Sequence, residues 1–152
     1  MYWWRKYQKN HGFLAKYKFY RYGRKYGIEI SREAQIGAGL DLSHPYNITV
    51  GSDVVMGNNI NLHKGCTIGR ENRGKRVGSP HLGNNIYVGV NATIAGKISI
   101  GNNVLIAPNN FVNSDVPDNS IVVGNPGKKH ISEKATDSYI GFIIDSHKND
   151  VS

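Results

Sequence analysis

The sequence predicts a mainly β protein built as a stack of about four triangular coils, and three observations predict it. Aliphatic residues recur every six positions over most of the chain. The residue after each of them is often glycine. Asn-Asn pairs stand at 58–59, 84–85 and 102–103, where chain corners belong. A globular helix would need a spacing near 3.6, which these segments lack.

The first 27 residues interleave Tyr, Trp and Phe with Lys and Arg. Phe13, Leu14, Tyr17 and Tyr20, with Tyr2 and Trp3, recur at roughly helical spacing. One or two short helices broken near Gly12 and Gly23 are expected. A stack of coils has an open end that must be covered, so these aromatics are expected to pack on it as a cap. The competing reading is a basic, aromatic patch for a membrane surface or nucleic acid.

The repeat runs from Ile30 to about Val116, within a domain of residues 28–130. Its anchors are Ile36, Leu42, Val50, Met56, Leu62 and Ile68, then Leu82, Val88, Ile94, Ile100, Ile106 and Val112. Four residues after most anchors comes a second small or aliphatic residue, among them Leu40, Val54, Ile60, Cys66, Ile86, Ala92, Ile98, Val104 and Val116. Two residues of each six therefore point inward. Short strands joined by tight turns give three sides per coil, and coils stack by parallel pairing. Stacked Asn side chains can then hydrogen-bond from coil to coil. Cys66 falls on an inward position and reads as a buried small hydrophobe rather than a nucleophile.

One step differs. Leu42 to Val50 is eight residues, not six, and His44 sits in the excess. An ionisable side chain at the one internal two-residue irregularity marks a candidate catalytic base. The other break, Arg70 to His81, is polar and is expected to protrude. Gly69 to Lys75 matches G-x-x-x-x-G-K, but Arg76 follows and no strand–helix context exists, so no nucleotide-hydrolysing loop is read there. After Val116, Pro and Gly end the repeat. Residues 131–152 form an extension: 131–145 is expected to be a short helix or a returning strand, and the terminal HKNDVS is expected to be disordered.

Composition narrows the partners. The net charge is +8, which suits anionic partners such as phosphorylated cofactors. A single cysteine excludes an internal disulfide framework and fits a reducing, cytoplasmic setting. No run approaches the roughly 20 apolar residues that span a bilayer, and no secretory signal is visible. The Asn47 and Asn91 sequons are therefore read as chance matches.

The period-six array, the interrupted LSHPYNITVG, the GCTIG–loop–PHLGNN segment and the closing DVPDNSIVVGNP resemble the hexapeptide-repeat acyltransferases, over about residues 28–130. The resemblance implies a left-handed parallel β-helix, and it is nearest the serine O-acetyltransferase-like branch, including short members of capsular and exopolysaccharide biosynthesis. It places the catalytic histidine on His44 and its orienting acidic residue on Glu29, fifteen positions earlier. It implies acetyl-CoA as donor and no metal. It also implies a homotrimer with sites between subunits, so that the 70–81 loop approaches a neighbour's His44.

Three departures stand out. Serine acetyltransferases carry Asp before the catalytic His, where this chain has Ser43. They carry Arg-His before the loop Pro, where it has Gly78 and Ser79. Their long helical N-terminal domain is replaced by about 27 residues. These departures shift the expected acceptor from serine, the alternative, to a sugar hydroxyl.

The chemistry asked of these residues is simple. A protonated alcohol is a poor nucleophile. A neutral imidazole with pKa near 6.5 takes its proton as the oxygen attacks the thioester, and returns it to the departing thiolate. Glu29 would hold the other ring nitrogen. Ser43, His63, Lys64, Ser79 and His81 are candidates for the acceptor pocket. Gly69, Gly89 and Ala107 would flank the pantetheine arm, and Arg73, Lys75, Arg76, Lys128 and Lys129 are candidates for the phosphates.

Two rivals follow. His44, His63 and His81 are spaced 19 and 18 apart, near one coil, which suggests a γ-class carbonic anhydrase zinc site. A non-enzymatic basic binding module is the other. Nucleic acid is not the expected partner. Peripheral membrane contact through the N-terminus would place the protein at the inner membrane face.

Overall fold

The computed structural model describes residues 2–10, 12–141 and 143–144. Two helices come first, α1 (Tyr2–Asn10) and α2 (Phe13–Tyr26). Strands β1 (Glu29–Ile30), β2 (Gln35–Ile36) and β3 (Asp41–Ser43) make the first coil. The second holds β4 (Thr49–Val50), β5 (Val55–Met56) and β6 (Ile60–His63), and the third β7 (Thr67–Gly69), β8 (His81–Leu82) and β9 (Ile86–Val88). The fourth holds β10 (Thr93–Ala95), β11 (Ser99–Ile100) and β12 (Val104–Ile106). A fifth has β13 (Phe111–Val112) and β14 (Ser120–Val123), with Val116 bridging Ile100 between them.

Three parallel sheets result. The first face stacks β1-β4-β7-β10-β13, the second β2-β5-β8-β11, and the third β3-β6-β9-β12-β14. The predicted parallel β-helix is therefore present, with five turns rather than about four. The anchor series stops short at both ends: Ile30 and Val122 are buried inward residues that complete it.

Inward side chains form one apolar column, including Ile30, Val50, Ile68, Ile94 and Val112 on the first face. Burying each such side chain contributes about 1.5–3 kcal/mol. The glycine after the anchor has a steric cause: a Cβ on Gly57 would lie 2.6 Å from the Gly83 carbonyl oxygen. The corner asparagines behave as expected. Asn59, Asn85, Asn103 and Asn119 adopt φ between 53° and 58°. Asn59 Nδ2 donates to Asn85 Oδ1 at 3.1 Å, and Asn103 Nδ2 to Asn119 Oδ1 at 2.7 Å.

The helices cap the open end, but with different residues from those expected. Trp4 and Ala15 are buried and Phe19 packs on the core, whereas Tyr2, Phe13, Leu14, Tyr17 and Tyr20 are exposed. The first coil would otherwise leave unpaired carbonyls at its edge. Trp4 Nε1 donates to the Ser31 carbonyl at 3.1 Å. Gln8 reaches the Arg32 and Ala34 carbonyls, and Arg5 those of Ile36 and Gly37.

The C-terminal part also differs. A returning strand, β15 (Lys128–Ile131), pairs antiparallel with β14, earlier than expected and across the 130/131 boundary. Residues 132–141 and 143–144 then lie back along the asparagine corner as irregular turns. Thr136 Oγ1 donates to Asn103 Oδ1 at 2.7 Å, and the Ile144 N–H to Asn59 Oδ1 at 2.8 Å. The disorder expected of HKNDVS lies outside the described residues, as does Phe142.

Candidate active site

The two-residue excess forms a bulged corner between the third and first faces. The equivalent corners elsewhere need one left-handed residue, Gly27, Gly65, Asn91 or Asn109, as Asn47 serves here. In the first coil His44 and Pro45 are added ahead of Asn47. His44 takes φ 52°, and its carbonyl accepts from the Tyr46 N–H at 2.8 Å. The bulge rests on the cap: Asn47 N–H donates to the Tyr26 carbonyl at 2.9 Å, and Tyr46 and Tyr26 rings meet edge-on at 5.4 Å.

The imidazole of His44 is exposed and lies 6.1 Å, centroid to centroid, from that of His63. Register explains the pairing, because Ser43 stands opposite His63 across the β3–β6 pair. An aromatic row continues from there. His63 meets Tyr87 at 4.8 Å, and Tyr87 meets Tyr139 of the returning C-terminal segment at 4.7 Å.

Sequence reading missed Asp41. Strand alternation puts Asp41 and Ser43 on the same outward side of β3 while Leu42 turns inward. Ser43 Oγ donates to Asp41 Oδ2 at 3.2 Å. In the next coil Asn61 stands opposite Asp41, and Tyr87 stands opposite Asn61. Asn61 is buried; its Nδ2 donates to the Tyr139 carbonyl at 3.2 Å, while Oδ1 has no partner among the described residues. The alternation in Asp-Leu-Ser was the signal available for Asp41. Nothing in the sequence announced Tyr139, which arrives by an irregular return path.

His63 is held below the ordinary imidazole range, first by partial burial, then by the neighbouring His44, against the pull of Asp41. Its neutral form is therefore favoured in the fold. The stability this contributes is present above about pH 6.5 and is lost as pH falls through the lowered folded value. Two substitutions should move it in opposite directions. Asp41→Asn should lower the His63 pKa further, and His44→Gln should raise it. NMR titration of the imidazole nitrogens checks both; a His63 midpoint indifferent to either change would disprove the cluster.

Other predicted site residues fall elsewhere. Glu29 is exposed on the first face opposite Thr49, lining a cleft of about 670 Å³ under α2. Among the described residues no hydrogen bond joins it to His44, because its strand position turns it onto the sheet face while His44 lies on the corner. Lys64 is exposed one coil beyond His44 on the same corner. Gly89 lies on that side too, but a Cβ there would come 2.6 Å from Pro108 N, so its first demand is close approach of the coil carrying Ala107.

Gly69, Ser79, His81 and the loop stand at or beside the corner between the first and second faces. That separates Gly69 from Gly89 and Ala107 within one chain, so the three do not flank a single groove there. The loop protrudes as expected, pinned by paired backbone hydrogen bonds between Glu71 and Gly78 at 2.9 and 3.0 Å. Arg73, Lys75 and Arg76 line a pocket of about 290 Å³ with Asn113. Lys129 Nζ donates to Ser114 Oγ at 3.0 Å, one residue from Asn113. Lys128 is exposed at the start of β15. Ser79 is buried and its Oγ has no partner among the described residues.

His81 lies on β8, a different face from His44 and His63, so the zinc triad does not assemble within the chain. Among the described residues no three His, Cys, Asp or Glu side chains group as metal ligands. Cys66 is buried with its thiol pushed up to about 11 by burial, as expected of an inert core residue.

The fold and the period define a parallel β-helix built on a hexapeptide repeat. No family model matches the chain. It is similar to serine acetyltransferases. It is 37% identical over 110 residues to serine acetyltransferase 2 of Arabidopsis thaliana, covering 71% of this chain and 33% of that protein. It is 39% identical over 125 residues to that of Staphylococcus xylosus, covering 81% and 55%. The crystal structure of the Neisseria gonorrhoeae serine acetyltransferase superposes with a TM-score of 0.71 at 36% identity, over 86% of this chain and 50% of that one. The chain thus spans less than two thirds of the relatives it matches. Fold and likeness together support a hexapeptide-repeat acyltransferase.

Proposed function

We propose that this chain transfers an acetyl group from acetyl-CoA to the hydroxyl of serine, with His44 as general base. The observation that carries the serine reading is Asp41. The carboxylate that related enzymes place immediately before the histidine is absent at Ser43, but a carboxylate stands two residues earlier on the same outward side. It is hydrogen-bonded to Ser43 and faces His63. Among the described residues no Lys or Arg pairs with Asp41, and a carboxylate so placed suits a substrate ammonium. Solved relatives named as serine acetyltransferases, one in complex with serine, support the same reading. The sugar acceptor in polysaccharide biosynthesis expected from the departures gains no support from these relatives.

The basic loop, with Lys129 near it, suits the phosphates of the donor. It lies at a different corner from His44, so the reading further proposes a homotrimer in which a neighbour's loop completes the site.

The test is thiol release from acetyl-CoA against serine and a sugar panel. Turnover with serine is expected. Asp41→Asn should raise the KM for serine by about 10–100-fold, the worth of a charge-assisted hydrogen bond, with the KM for acetyl-CoA unchanged. Turnover confined to sugars would overturn the serine reading and restore the glycan.

A further inference from the structure

The charge of this protein is concentrated at one end. Eight of its nineteen Lys and Arg residues lie in the first 28 positions, which hold no Asp or Glu. The remaining eleven are balanced by all eleven acidic residues, so the whole net charge of +8 sits on the helical cap.

Helix α2 has two distinct sides. Ala15, Phe19, Gly23 and Tyr26 turn toward the solenoid: Ala15 is buried, Phe19 packs on the core, and Tyr26 meets Tyr46. A Cβ on Gly23 would lie 2.7 Å from the Ile28 carbonyl oxygen, so the helix is seated closely. The opposite side carries Phe13 at 85% exposure, Leu14 at 59% and Tyr17 at 48%. Lys16 and Arg21, both exposed, border this stripe, while Tyr20 packs on Tyr7 and lines the cleft beneath the helix with Arg24. The spacing is helical, yet the stripe faces away from the only core the described residues contain.

We propose that this side of α2 docks the protein on the surface of an anionic lipid bilayer. Apolar and aromatic side chains would enter the boundary between headgroups and acyl chains. The flanking Lys and Arg would lie at the level of the anionic headgroups. Among the described residues no helix is long and apolar enough to cross a membrane, and the contact proposed is in-plane. Charge selects this occupant over a second copy of the chain, because pairing two such caps brings +8 against +8. A convex stripe containing Phe13 and Leu14 offers no groove for stacked bases, which argues against nucleic acid. Docking through this side leaves the solenoid in water. The proposal is independent of the acetyl-transfer reading.

The experiment is co-sedimentation of the full chain with phosphatidylcholine vesicles, with and without phosphatidylglycerol. Binding to the anionic vesicles should be about tenfold or more the stronger, and should fall with added salt. The double variant Phe13→Ser, Tyr17→Ser leaves the charge unchanged and should lose most vesicle binding while keeping its unfolding temperature. Equal binding to both vesicle types, or to neither, would overturn the proposal. So would undiminished binding by the double variant. Sedimentation velocity in which the wild type self-associates and the double variant does not would assign the stripe to a second copy instead. Loss in the double variant of oligonucleotide binding, with vesicles ignored, would assign it to nucleic acid.

Discussion

Trp4→Ala should destabilise the protein by about 3–5 kcal/mol, the range for truncating a buried large aromatic. Trp4 is 1% exposed, although it lies in a nine-residue helix at the edge of the fold. It joins the same core cluster as Ile30 and Ile36 and closes the first coil from below. Its indole also donates to the Ser31 carbonyl, one of the edge groups with no coil beneath it. Removing it opens a cavity and frees that edge together. For a chain of this size the loss corresponds to a fall in melting temperature of roughly 10 °C or more. Trp4→Phe separates the two effects: it keeps most of the volume and drops only the hydrogen bond, and should cost about 1 kcal/mol. Chemical denaturation of the three proteins checks this. A cost below about 1 kcal/mol for Trp4→Ala would show that the cap is peripheral to the solenoid. The effect bears on the site, because Tyr26 at the end of the cap carries the backbone of the His44 corner.

The period-six pattern revealed the solenoid because every strand solves the same local problem. Each needs one inward aliphatic, one tight corner, and no Cβ where coils approach. The pattern is silent about anything that depends on which corner a residue occupies. Gly69 and Gly89 look equivalent in the repeat but stand at different corners. Glu29 counts correctly to fifteen before His44, yet its strand turns it onto a sheet face. Helical spacing identified the stripe Phe13–Tyr17–Tyr20 and the cap reading turned it toward the core, but spacing alone does not choose the buried side; the core contact fell to Trp4, Ala15 and Phe19. The placement of Thr136 and Ile144 was illegible because it is set by the asparagine column, a property of the assembled stack. Asp41 was legible and was passed over, since alternation in a three-residue strand gives only a faint signal beside a histidine.

His44→Ala should lower kcat/KM for acetyl transfer by about 10²–10⁴-fold, the contribution typical of a positioned general base, while leaving stability nearly unchanged because the imidazole is exposed. That corresponds to about 3–5 kcal/mol of transition-state stabilisation. The pair with His63 makes a comparison necessary, since both rings lie on one face and His63 is the one biased toward the neutral form. If His44 is the base, His63→Ala should act mainly on acceptor KM. Loss of kcat in His63→Ala with full activity in His44→Ala would move the base one coil along. Glu29→Gln completes the set. A fall in kcat would show that Glu29 orients His44 in the working enzyme despite its position on the sheet face. An unchanged kcat would leave the orientation of His44 to the bulged corner itself, where its left-handed backbone and the Tyr46 hydrogen bond already constrain it. Thiol release at saturating acetyl-CoA, measured across pH for all four proteins, decides among these outcomes.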